Sequence, residues 1–172
     1  MNTIQLLQCI KSDPLLNEYC CGVVPSDHLT LKKTLAYPCY FISNTRPHND
    51  NGEHWVLFFL PSEAHCIYFD SYGRAPLVVF RKYLKGTATT TSQKQVQGLS
   101  SDACGAHCLY VAYNLVRGIS FDTTISTYSK NFEQKDNDVM DFVNTTLDFE
   151  NMTKPVVVEC HCNQTCKPTQ YK

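Results

Sequence analysis

The stretch His54-Trp55-Val56-Leu57-Phe58-Phe59-Leu60, the turn Pro61-Ser62-Glu63-Ala64 and the return His65-Cys66-Ile67-Tyr68-Phe69-Asp70 decide how this chain folds. Both runs are rich in β-branched and aromatic residues, are too short for ordinary helices and are separated by turn formers, so they read as a β-hairpin. Apolar residues fill both alternate sets of positions, which requires burial on both faces. A three-residue loop centred on Ser62 sets His54 directly opposite Asp70 on one face. An imidazole beside a carboxylate is what a thiol nucleophile needs: the ring takes and returns a proton, and the carboxylate fixes its tautomer. Strands that simply end on polar residues account for the same two positions without chemistry.

Outward from the hairpin, Cys39-Tyr40-Phe41-Ile42 reads as a further strand, and Asn44 to Glu53, crowded with Asn, Asp, Pro and Gly, as a surface loop. Thr3 caps a short helix with Ile4, Leu7 and Ile10 on one face, stopped by Asp13-Pro14. From Leu15 to Tyr37 the pattern is mixed and suggests a loop running into a brief helix near Leu29 and Leu31. Downstream, Pro76 opens a helix through Leu84 that Gly86 closes, and Thr87 to Thr91 is extended. The clearest helix is capped by Ser101 or Asp102 and carries Cys104 in its first turn. It turns Leu109, Ala112, Leu115 and Val116 inward and ends at Arg117-Gly118. Asp136 to Leu147 is a last amphipathic helix.

With 172 residues, 43% of them hydrophobic, and 15 basic against 16 acidic groups, the chain reads as one compact domain over residues 1–150 followed by a Cys-rich tail, 151–172. A core of this size buries roughly 70% of the unfolded surface without needing a metal or disulfide staple. A disordered tail protein and a polybasic arm are excluded. A pI near 6.6 lacks the footprint of a dedicated nucleic-acid binder, although Arg81-Lys82 with Lys85 makes a local basic patch. Apolar runs such as Trp55 to Leu60 fall far short of the ~20 residues of a membrane span. The first residues lack the features of a secretory signal, so an intracellular protein with mostly reduced cysteines is expected, and the sequons at Asn144, Asn151 and Asn163 are chance matches. Cys160, His161, Cys162 and Cys166 are zinc-ligand types, but C-x-C-x3-C is not the spacing of common structural sites. No metal is expected there; the tail reads as reducible, or crosslinked to Cys20-Cys21 under oxidant.

A cysteine in the first turn of a helix meets unpaired N–H groups and the positive end of the dipole, both of which favour thiolate. Cys104 is so placed, within Ser100-Ser101-Asp102-Ala103-Cys104-Gly105, although a buried small hydrophobe is the ordinary fate of a cysteine. Gln97 lies seven residues earlier, across a Gly-Leu-Ser-Ser loop that can fold its amide over the helix start. There it would join the Cys104 N–H in an oxyanion hole; a lone Gln in a polar loop is otherwise solvated. His107 and Cys108, on the same helix, read as packing residues. His28, His48 and His65 rank below His54 as bases because no hairpin register gives them a carboxylate.

Gly52-Glu53-His54-Trp55, Tyr68-Phe69-Asp70-Ser71-Tyr72-Gly73, Val96-Gln97-Gly98 and Ala103-Cys104-Gly105 with Cys108 together resemble the adenovirus-type cysteine protease family, adenain. The order His, acid, Gln, Cys is shared with the SUMO and ubiquitin-like-protein proteases. The likeness runs from about Cys20 to Phe121. It implies an α+β, papain-like architecture with permuted triad order, a central mixed sheet flanked by helices. By the same resemblance Cys104 is the nucleophile, His54 the general base and acid, Asp70 its orienting residue, Gln97 the oxyanion donor, and Trp55 a cover over the histidine. The family cleaves viral precursor proteins after small residues, often Gly, during virion maturation, which implies an endopeptidase of the host nucleus and the virion, acting as a monomer. An isopeptidase acting on ubiquitin-like or SUMO conjugates, and an inactive module binding Gly-Gly termini, are the alternatives. Adenoviral relatives are activated by a disulfide-held peptide and by DNA. Here Thr87 to Val96 contains no cysteine and the chain is near neutral, so neither an activating peptide held covalently nor a DNA cofactor is required by the sequence.

Overall fold

Strands that are apolar at both alternate positions need a hydrophobic layer on each side, and the computed structural model, which describes residues 1–29, 35–129, 131–147 and 149, provides two. In chain order the elements are α1 (Thr3–Ser12), α2 (Pro14–Tyr19), β1 (Cys20–Val24), β2 (Cys39–Asn44), β3 (Trp55–Ser62), β4 (His65–Phe69), α3 (Val78–Leu84), β5 (Ala88–Thr91), α4 (Cys104–Leu115), α5 (Phe121–Ser126) and α6 (Phe132–Thr146). The strands form one mixed sheet in the order β1-β2-β3-β4-β5. Both edge pairs are parallel, and the two central pairs are antiparallel.

Period two sorts the strand side chains between the layers. Tyr40, Ile42, Trp55, Leu57, Phe59, Ile67 and Phe69 face the layer built from α1, α2, α4, α5 and α6. Cys39, Phe41, Val56, Phe58, Leu60, Cys66 and Tyr68 face the smaller layer around Phe80 of α3. The rings of Phe58, Tyr68 and Phe80 meet edge to face or tilted there. α4 packs against β3 with α1, α5 and α6 around it, so nearly every side of it is buried, not the single inner face that the sequence pattern indicates.

The hairpin departs from the expected register by two residues. Leu57 pairs with Phe69 and Phe59 with Ile67, while Ser62 pairs with His65 across a two-residue Glu63-Ala64 turn. Leu60 and Pro61 together oppose Cys66, a β-bulge at the position where proline has no N–H to give to the ladder. A slip of two keeps side chains on their faces. His54 and Asp70 therefore still share a face, diagonally and not directly opposite.

Other differences are local. Asn2, not Thr3, caps α1 in a box with Gln5, and the buried face is Leu6, Cys9 and Ile10 while Ile4 stays exposed. Asp13-Pro14 ends α1 and at once opens α2, with Asp13 as N-cap and Pro14 at the first position. β1 and α5 occupy stretches that carry no clear period, and α6 begins at Phe132, capped by Asn131, one turn before Asp136. Leu31, Asn151, Asn163 and the Cys160–Cys166 cluster lie outside the described residues. No helix among the described residues is long and apolar enough to cross a membrane.

Candidate active site

His54 immediately precedes β3, Asp70 immediately follows β4 and Cys104 is the first residue of α4, so adjacent central strands and the helix packed on them bring the three together. All are buried, at 7%, 3% and 8% exposure. His54 Nε2 lies 2.8 Å from Asp70 Oδ1, which also accepts from the Tyr72 N–H at 2.8 Å. The Cys104 thiol is close enough to the same imidazole for each to shift the other's proton affinity, and with Nε2 engaged by Asp70 the ring nitrogen left for the sulfur is Nδ1; the thiol's own hydrogen-bond geometry points to the Asp102 carbonyl at 4.0 Å. The chain turns sharply after the acid at Gly73, whose φ of +69° favours glycine and where a Cβ would lie 2.8 Å from the Gln93 carbonyl. Tyr72 stacks on the His54 ring at 4.8 Å, and the Arg74 guanidinium lies over Tyr72 at 4.7 Å. Tyr72 lies in the turn that follows β4, outside the strand ladder, so the hairpin pattern gives no sign of its contact with His54.

Burial opposes charge on His54, but hydrogen bonds and charges from Asp70 and Cys104 outweigh it and push the imidazole up to about 9. At Cys104 burial again favours the neutral form. The hydrogen bonds from His54 and the Trp55 backbone N–H, with the imidazolium charge, bring the thiol below its ordinary value. Opposite shifts on touching groups favour a thiolate and imidazolium pair. Cys9, Cys20 and Cys66, by contrast, are pushed up to about 12 by burial.

α4 is not capped by Ser101 or Asp102. Its N-cap is Ala103 and no side chain bonds the first turn, while Ser101 Oγ accepts only from the Ala103 N–H. The leading N–H groups of the helix therefore remain available beside the sulfur. Gln97 is fully buried and held from three sides: Ser71 Oγ donates to its Oε1 at 2.5 Å, its backbone N–H donates to the Ser71 carbonyl, and its Nε2 donates to the Ser101 carbonyl at 2.7 Å. One Nε2 hydrogen remains for the cleft, whose lining includes Gln97.

That cleft has a volume of about 500 Å³, and its lining includes His54, Trp55, Tyr72, Gln97 and Cys104 together with Val23–Pro25 and parts of the 44–53 loop. Trp55 is 7% exposed beside the histidine and donates from Nε1 to the Met1 carbonyl. Of the other histidines that the sequence ranks below His54, His65 bonds Thr90, and His28 stacks on His48, which lines the same cleft. No group of three or more potential metal ligands occurs among the described residues. His107, read from sequence as packing, is fully buried but bonds Asp136 at 2.8 Å, a pairing across 29 positions that no sequence pattern announces.

No family model and no curated protein matches the chain. Solved structures do. A crystal structure of an ASFV protease is similar over 83% of this chain with a TM-score of 0.56 and 17% sequence identity. The structure of ChlaDub1 from Chlamydia trachomatis is similar over 90% of this chain and 95% of its own, with a TM-score of 0.60 and 9% identity. The chain spans less than two thirds of the length of the ASFV protease. At these identities the likeness is one of fold, that of papain-like and SUMO-protease-like cysteine proteases.

Proposed function

We propose that this chain is a cysteine endopeptidase that cleaves precursor proteins after small residues, glycine above all, in the maturation of viral particles. The observation that carries the reading is the line of contacts from Asp70 to His54 to Cys104, beside Gln97 in one cleft. The Cys104 thiolate attacks the scissile carbonyl carbon, and the C=O pair moves onto oxygen. Gln97 Nε2 and the free N–H groups at the start of α4 meet that charge. Imidazolium Nδ1–H protonates the leaving nitrogen, the C–N bond breaks and a thioester remains. Neutral His54 then takes a proton from water, whose oxygen attacks the thioester and expels the thiolate. Asp70 holds the ring throughout with its Nε2–H toward the carboxylate.

The lineage and the choice of viral precursors rest on the adenain-like motifs. A second reading, an isopeptidase acting on ubiquitin-like conjugates, is favoured by the match to nearly the full length of ChlaDub1, whose name marks a deubiquitinase. Incubation with Gly-Gly-containing peptides and, separately, with ubiquitin-like isopeptide conjugates distinguishes the two. Cleavage of free peptides that is lost in Cys104→Ala supports the endopeptidase. Cleavage confined to conjugates supports the isopeptidase. Failure of both, with and without DNA, leaves a binding module for Gly-Gly termini.

A further inference from the structure

The mechanism leaves unused a second buried histidine and carboxylate. His107 lies on α4 three residues after the nucleophile and is completely buried. Its Nε2 is 2.8 Å from Asp136 Oδ1, and Tyr128 Oη is 3.2 Å from its Nδ1. Burial keeps this ring neutral, so Nε2 carries the proton toward the carboxylate and Nδ1 accepts from the phenol. The other oxygen, Asp136 Oδ2, accepts from the Gly98 backbone N–H at 3.0 Å. Gly98 directly follows Gln97. One carboxylate on α6 thus grips the helix that carries Cys104 with one oxygen and the loop that carries Gln97 with the other.

Upstream, the Gln97 loop is tied to Ser71, next to Asp70. Downstream, the loop closes on itself through the Ser101 N–H to the Gly98 carbonyl at 3.2 Å and the bond from Gln97 Nε2 to the Ser101 carbonyl, and the bond from the Gly98 N–H to Asp136 ties it to α6. A Cβ on residue 98 would stand 3.0 Å from Asp136 Oδ2 and 3.8 Å from Phe132 Cβ, so a side chain there would push the carboxylate off the backbone N–H. We infer that Asp136 is a positioning residue that sets the Gln97 amide at a fixed distance from Cys104, with His107 and Tyr128 fixing the carboxylate in turn. This rests on the protease reading, in which Gln97 meets the oxyanion.

The test compares wild type with Asp136→Ala, Asp136→Asn and Gly98→Ala by peptide hydrolysis, iodoacetamide labelling of Cys104 and hydrogen exchange at the Gly98 amide. Alkylation needs the thiolate but no oxyanion hole, so it reports the nucleophile separately. In Asp136→Ala, kcat falls by about 10²-fold with KM nearly unchanged, the labelling rate stays within about threefold, and the Gly98 amide loses protection. Asp136→Asn keeps an oxygen for Gly98 and offers Nδ2 to a ring that switches tautomer and donates to Tyr128, so kcat stays within about fivefold of wild type. Gly98→Ala lowers kcat as Asp136→Ala does, which preserves the test if Asp136→Ala does not fold.

Unchanged kcat in both Asp136→Ala and Gly98→Ala overturns the inference, as does a labelling rate that falls in step with kcat. If wild type cleaves nothing, the protease reading fails by itself. Gly98 exchange then still decides whether Asp136 holds the loop: undiminished protection in Asp136→Ala refutes it.

Discussion

Two histidines of this protein hold a carboxylate at 2.8 Å, His54 with Asp70 and His107 with Asp136, yet their protons respond in opposite directions. Burial disfavours charge on both rings. At His54 it is outweighed because the ring faces Asp70 on one side and an ionisable thiol on the other, and the pKa is pushed up to about 9. At His107 burial prevails and the pKa is lowered. The second nitrogen faces a neutral phenol, and the charges of Lys135 and His54 oppose protonation. A histidine and carboxylate at hydrogen-bond distance are therefore not in themselves acid–base machinery. What the other ring nitrogen meets decides whether the proton moves or is held.

The comparison is tested most severely by removing the thiol. Cys104→Ala takes away the group that distinguishes the first pair, and hydrolysis of a Gly-Gly peptide falls by about 10⁶-fold, toward the uncatalysed rate. The same Asp-to-Asn exchange then separates the pairs. Asp70→Asn presents an amide where the imidazolium needs an anion, and kcat falls ~10²–10⁴-fold, whereas Asp136→Asn is nearly silent. A similar loss from both exchanges would show that the two pairs are not functionally distinct.

The pH profile comes next in size. Catalysis needs His54 charged, so kcat/KM declines about tenfold per pH unit as pH rises through about 9, and the limb moves to lower pH in Asp70→Asn. Stability shows the pair poorly between the ordinary histidine value and about pH 9, where the proton gained by His54 offsets the one lost by Cys104. An alkaline limb near the ordinary histidine value would contradict the raised imidazole. The smallest effect belongs to the second pair. Tyr128→Phe leaves His107 Nδ1 buried without a donor and costs about 1–3 kcal/mol in denaturant unfolding, with kcat changed far less than in Asp70→Asn.

The first pair was legible in sequence and the second was not, for physical reasons. His54 and Asp70 bracket one hairpin, so local register constrains their meeting, and a two-residue error in that register did no harm because the face repeats every two residues. The turn falls at Glu63-Ala64 and not around Ser62, which alone would slip the register by three; the bulge at Leu60-Pro61 takes one residue back and so restores the face. Cys104 and Gln97 were legible from motif and spacing, but the bonds that hold Gln97, to Ser71 and Ser101, depend on how the loop folds. His107 and Asp136 sit on different helices, and their meeting is set by the packing of α4 against α6, which no local pattern encodes. β1 carries no clear strand signal because Gly22 interrupts a short, half-buried run at the sheet edge. The α4 cap differs from the expectation because Ser101 and Asp102, good capping residues, stand one or two positions before the actual N-cap, Ala103.

The most direct test of the central claim, a thiolate held by His54, is the iodoacetamide labelling rate of each of the ten cysteines between about pH 5 and 8, in wild type and His54→Ala. Cys104 is predicted to label far faster than the other nine at the acidic end and to lose that advantage in His54→Ala. A Cys104 that labels no faster than buried Cys9 or Cys66 at low pH, or whose advantage survives His54→Ala, would contradict the account.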